Sequence, residues 1–82
     1  MWNIIVNCHA RRIKKLIAAM EKRLQAHGAE YRFFYTERTG DAYKYARSLS
    51  EAGGRKFIVV GGDGTLNEVV SGLADPSSCT LG

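Results

Sequence analysis

Three glycines surround one carboxylate in Gly61-Gly62-Asp63-Gly64, and Thr65-Leu66-Asn67-Glu68 follow with a hydroxyl, an amide and a second carboxylate. Glycine takes positive φ without penalty and has no side chain to hold a ligand off the backbone. The run before these residues, Phe57-Ile58-Val59-Val60, is apolar, β-branched and too short for a helix. It reads as a buried parallel strand. After them, Leu66, Val69, Val70 and Leu73 recur at i, i+3, i+4 and i+7, the stripe of an amphipathic helix. A strand, a glycine turn and a helix N-terminus together present free N–H groups at a positive dipole end, an arrangement suited to phosphate. Asp63 would repel a phosphate unless a cation or a donor stood between them, so its natural companion is Mg²⁺. The stretch therefore reads as a nucleotide-phosphate loop with Asp63 as a metal-facing or orienting acid. The competing reading is an ordinary tight turn, with glycines for geometry and Asp63 capping the helix.

The elements that position this loop follow from periodicity. Trp2-Asn3-Ile4-Ile5-Val6-Asn7 reads as a first strand, and Asn7-Cys8-His9-Ala10-Arg11 as a loop entering a helix. Ile13, Leu16, Ile17, Met20 and Leu24 mark the buried face of that helix, and Gly28 ends it. Tyr31 to Thr36 forms a second strand. Asp41 is placed as an N-cap or first-turn acid for a second helix with the stripe Ala42, Tyr45, Ala46 and Leu49, which Gly53-Gly54 stops. Asp75-Pro76-Ser77-Ser78 is a turn cluster. This succession implies an α/β fold of three layers, with helices on both faces of a parallel sheet joined by right-handed crossovers. A strand order of 2-1-3 brings the loops after the first and third strands together at the carboxyl edge, where open α/β sheets bind nucleotides.

At 82 residues the chain makes one small domain. No apolar run approaches the roughly 20 residues of a membrane helix, and no basic segment precedes a long apolar core as in a signal peptide. A cytoplasmic chain is expected. Cys8 and Cys79 lack the spacing of a zinc site or a disulfide framework, and His9 and His27 read as structural or solvent-facing. All twelve Lys and Arg residues lie at or before Lys56, within a net charge of +4. Such a surface could attract phosphate, anionic lipid or nucleic acid, but most of these residues read as solvated helix faces.

The run Gly61-Gly62-Asp63-Gly64-Thr65-Leu66-Asn67-Glu68-Val69-Val70-Ser71-Gly72-Leu73 resembles the diacylglycerol-kinase catalytic-domain family of lipid kinases, which carries GGDGT followed by L-N-E-V-V-N-G-L. Only Ser71 differs. The likeness extends over nearly the whole chain: Asn7 ends the first strand, Thr36 ends the second, and Gly40-Asp41-Ala42 matches the family's G-D-A helix start. NAD kinases and phosphofructokinases share the GGDG core without this continuation. The resemblance implies the N-terminal nucleotide-binding half of the NAD kinase/diacylglycerol kinase-like fold, with ATP and Mg²⁺ as cofactors. It carries nucleotide contacts onto Asn7, Cys8, His9, Ala10 and Arg11, onto Thr36, and onto Gly61, Gly62, Asp63, Gly64, Thr65, Leu66, Asn67 and Glu68. Within that set, Gly62 and Gly64 would bring backbone to the phosphates, Asp63 would sit near Mg²⁺, Thr65 and Asn67 would fix the loop and helix start, and Thr36 would meet the adenine-nucleotide side. Two positions depart from the family: its Pro is Cys8 and its Gly is Arg11, which leaves Asn7 as the best member of the first phosphate turn.

The activity implied is transfer of the γ-phosphate of ATP to the hydroxyl of diacylglycerol or a similar lipid. Phosphoryl transfer needs the phosphate positioned, its charge neutralised and the attacking hydroxyl oriented. No residue here stands out as the base for the third task, and the family's further strand, second motif and β-rich lipid-binding domain are not among these residues. The expectation is thus a nucleotide-binding portion that is inactive alone. Alternatives are a non-catalytic nucleotide-binding module that self-assembles through an exposed sheet edge, and a NAD-kinase-like protein. Expected partners are ATP, a lipid alcohol in a full-length protein, a second copy of the chain and a peripheral contact with the inner membrane surface, with no nucleic acid.

Overall fold

A computed structural model describes residues 1–7 and 13–81. The elements run β1 (Trp2–Asn7), α1 (Ile13–Ala26), β2 (Tyr31–Thr36), α2 (Asp41–Glu51), β3 (Lys56–Val60), α3 (Asp63–Gly72), a 3₁₀ turn (Pro76–Ser78) and β4 (Thr80–Leu81). The sheet order is β2-β1-β3-β4, and all three pairings are parallel. The expected 2-1-3 arrangement is therefore present, and the apolar start at the end of the chain adds a fourth strand beside β3.

β1 is central because its side chains are apolar on both faces. Ile4, Ile5 and Val6 are fully buried. Alternation along the strand sends Ile4 and Val6 one way and Ile5 the other. Ile4, Val6 and Val60 meet Ile13, Ile17, Met20 and Leu24 of α1 on one face. Ile5 and Phe57 meet Ala42 and Ala46 of α2, Val69 of α3 and Leu73 on the other. The result is the expected three-layer α/β/α arrangement.

Two apolar stripes turn differently from the periodic expectation. Leu16 is largely exposed, so the buried face of α1 is narrower than its apolar sequence. In α3 the buried residues are Thr65, Val69 and Gly72, followed by Leu73, whereas Leu66 and Val70 are exposed. The cause is the contact with α2. A Cβ at Gly72 would collide with the carbonyl oxygen of Tyr43 and would lie 3.1 Å from Cβ of Ala46. The helices approach backbone to side chain there, which rotates α3 so that its glycine, not its leucine, faces inward. A count of apolar residues gives no weight to a glycine contact.

The helix ends follow local rules. Gly28 has φ +66°, and the Ala29 N–H donates to the Leu24 carbonyl at 2.9 Å, closing α1. Asp41 is the first residue of α2, behind Gly40 in the left-handed region at φ +95°. Gly53 at φ +101° ends that helix.

Candidate functional site

The carboxyl edge of the sheet gathers the residues that end the strands. Asn7 and Thr36 are register partners at the ends of β1 and β2, and Thr36 is buried despite its hydroxyl. The Asn7 Nδ2 donates to Thr65 Oγ1 at 3.3 Å, which ties β1 to the first turn of α3. Thr65 is itself buried. Gly61 makes that tie sterically feasible. A Cβ there would lie 2.8 Å from Thr65 Oγ1 and 3.1 Å from Asn7 Cβ, tighter than ordinary packing allows.

Asn7, Thr36, Thr65 and Glu68 line one polar cavity of about 310 Å³, together with Glu37, Arg38, Thr39 and Ala42. The last four come from the β2–α2 connection and the start of α2; Ala42 belongs to the expected stripe of that helix, whereas Glu37, Arg38 and Thr39 carry no apolar period and were not among the expected site residues. Their position after a strand end was the available signal, since every βα connection reaches this edge. A larger hollow of about 500 Å³ lies at the opposite edge, around Asn3, Arg32 and Gly53 to Lys56. It holds none of the predicted residues. Cys8, His9, Ala10 and Arg11 lie outside the described residues.

The glycine loop is exposed and leads into Thr65 of the cavity lining. Gly62 is the N-cap of α3 at φ −90° and ψ −172°, and Asp63 is its first residue. Gly62 has no side chain to cap the helix, and Asp63 stands as the acid of its first turn. None of Gly61, Gly62 and Gly64 is among the glycines with positive φ. Among the described residues no atom lies within 4 Å of where a Cβ at Gly62 or Gly64 would stand. Neither backbone conformation nor packing against the described residues requires glycine at these two positions. Gly64, in the first turn of a helix, carries the entropic penalty of glycine with no compensation from them. Asp63, Leu66 and Asn67 are exposed beside them.

These features fit a polyphosphate carrying Mg²⁺. Among the described residues no side chain caps the first turn of α3, and none crowds the backbone at Gly62 and Gly64. Among the described residues no group of three or more His, Cys, Asp or Glu side chains could hold a metal ion by itself. An Mg²⁺ at Asp63 would complete its oxygen shell with phosphate and water, as this cation commonly does.

The β2–α2 connection is braced by carboxylates. Asp41 Oδ2 accepts from the N–H groups of Glu37 and Arg38, each at 2.9 Å. These two bonds, followed by weaker attraction from Lys44 and Arg38, hold the Asp41 carboxyl below its ordinary range. Glu68 Oε1 accepts from the Gly40 N–H at 2.5 Å, linking α3 to the start of α2.

The model of the diacylglycerol kinase catalytic domain matches residues 1–82. The chain belongs to this family. It is 39% identical over 85 residues to a Bacillus subtilis protein named "Putative lipid kinase YtlR", an alignment covering 98% of this chain and 28% of that one. It is 41% identical over 61 residues to a diacylglycerol kinase of Staphylococcus saprophyticus, covering 73% of this chain and 20% of that enzyme. Among solved structures, "A putative diacylglycerol kinase from Bacillus anthracis str. Sterne" superposes with a TM-score of 0.73 at 29% identity, over 98% of this chain and 30% of that one. The chain thus spans under a third of the length of these diacylglycerol-kinase-family relatives.

Proposed function

We propose that this chain forms the nucleotide-binding portion of an ATP-dependent lipid kinase that phosphorylates the hydroxyl of diacylglycerol or a similar lipid. The observation that carries this reading is the pair of glycines, Gly62 and Gly64, that packing against the described residues does not require, at the start of α3. Membership of the diacylglycerol kinase catalytic family supports the reaction class.

In this reading the first-turn N–H groups of α3 hold the phosphates. Asp63 orients the Mg²⁺ that travels with them, which supplies charge neutralisation during transfer. The Asn7–Thr65 bond fixes the loop against β1, and Thr36 with the β2–α2 connection bounds the nucleotide. Residues beyond these 82 would supply the lipid pocket and the base, so the chain alone binds nucleotide without turning it over.

A cytoplasmic protein with peripheral contact at the inner membrane surface suits such a substrate. Lys14, Lys15, Lys22 and Arg23 are exposed on α1, and basic residues attract anionic lipid. Among the described residues no helix is long and apolar enough to cross a membrane. The outer strands β2 and β4 leave sheet edges through which a second copy would pair.

Isothermal titration of Mg-ATP into the chain, with Asp63→Ala alongside, tests the reading. Saturable binding is expected, weakened by about tenfold in the variant, equivalent to about 1.4 kcal/mol. No saturation at millimolar nucleotide would contradict it.

A further inference from the structure

The connection between β2 and α2 has its amide donors held by two carboxylates that belong to different helices. Asp41, at the start of α2, takes the N–H groups of Glu37 and Arg38. Glu68, in the second turn of α3, takes the N–H of Gly40 at 2.5 Å across 28 residues of sequence. Gly40 stands at φ +95°, a conformation that residues other than glycine rarely adopt. Glu68 is half-buried and lines the polar cavity together with Glu37, Arg38 and Thr39. The ion pair formed among the described residues is Arg47 with Glu51, so the charge of Glu68 is met by a backbone donor at the N-terminus of α2, where the helix dipole favours an anion.

From this geometry we infer that Glu68 is a positioning residue for the nucleotide site: a strut that joins the β2–α2 connection to the phosphate-binding helix, and not itself a ligand of nucleotide or metal. The inference rests on the nucleotide reading above. α3 presents its first turn to the phosphates and, one turn later, holds Gly40. Occupancy of the loop and order in the 37–40 segment are therefore coupled through one rigid helix. Nucleotide bound at Gly62 to Gly64 steadies α3 and with it the Gly40 bond. A released Gly40 lets one wall of the cavity open.

Two conservative substitutions separate a strut from a charged ligand. Glu68→Gln keeps the reach of the side chain and an acceptor oxygen while removing the charge. Glu68→Asp keeps the charge and, one methylene shorter, withdraws the oxygen from Gly40. Both are measured by amide hydrogen exchange over residues 37–41, with and without Mg-ATP, and by Mg-ATP titration of the same preparations. Hydrogen bonds to charged groups are worth enough that losing one speeds local opening by about tenfold or more. We expect Glu68→Asp to speed exchange at Gly40 by about tenfold and to weaken Mg-ATP by about threefold or more, with Glu68→Gln, which keeps a weaker, uncharged acceptor in reach, impaired less than Glu68→Asp in both. Mg-ATP should slow Gly40 exchange in the parent chain and much less in Glu68→Asp. The reverse ranking, with Glu68→Gln impaired and Glu68→Asp intact, would overturn the strut and make Glu68 a charged ligand. Faster Gly40 exchange with unchanged nucleotide affinity would also overturn it. A parent chain that binds no Mg-ATP would overturn the nucleotide reading and the coupling together, an outcome distinct from the other two, in which the parent binds.

Discussion

The two ends of α3 use glycine for opposite reasons. At the C-terminal end Gly72 is buried, and its missing Cβ is where the carbonyl of Tyr43 in α2 passes. At the N-terminal end Gly62 and Gly64 face open space. One glycine lets two helices touch, and the other two meet no atom of the described residues. Gly61 sits between these cases, spent on the approach of Thr65 and Asn7. The same residue type in one motif thus serves packing in two places and access in two others. Substitution effects should divide along that line.

The largest effect is expected at the packing end. Gly72→Ala raises helix propensity by up to about 1 kcal/mol but drives a methyl into a backbone oxygen that cannot rotate away. Overpacking of this kind costs about 1–3 kcal/mol, so the net change should be a loss of about 2 kcal/mol, read from urea unfolding. Equal or greater stability in Gly72→Ala would mean that the α2–α3 contact is looser than its geometry indicates.

A smaller effect separates the bracing of the cavity wall from the core. The Asp41 carboxyl, held low by the Glu37 and Arg38 N–H groups, adds stability that is fully present above its unfolded pKa and disappears as pH falls through its lower folded pKa. Asp41→Asn should therefore flatten the acid side of the stability profile below about pH 5, with a small loss at neutral pH and convergence with the parent as the acid limb is descended. Profiles that superimpose would show that the two bonds do not persist in solution. Because Asp41 is exposed to solvent, this contribution is screened and small.

Much of this architecture was legible in the chain. The runs Ile4-Ile5-Val6 and Phe57 to Val60 have the β-branched, unalternating character of strands buried on both faces, and the order 2-1-3 followed from joining the loops behind them. The family resemblance picked out Asn7, Thr36 and Thr65, and the fold brings these three to one cavity. The rotation of α3 was not legible, because periodicity scores Leu66 and Val70 but not the absence of a side chain at Gly72. Glu37, Arg38 and Thr39 were missed because a loop that turns a corner has neither apolar period nor motif. The role of Glu68 was hidden for a different reason. Its partner is a backbone N–H 28 residues away, and no side-chain pattern advertises a backbone donor.

The central claim, that the open glycines exist for a ligand, is tested most directly by Gly64→Ala. With no neighbour to strike and a helical position to favour it, the substitution should stabilise the chain by roughly 0.5–1 kcal/mol. In parallel titration its Mg-ATP affinity should fall by about tenfold or more, because the new methyl stands where phosphate approaches the backbone. A more stable, weaker-binding variant is the predicted result. A variant that gains stability and binds Mg-ATP as well as the parent would contradict the claim and leave Gly64 without a functional reason.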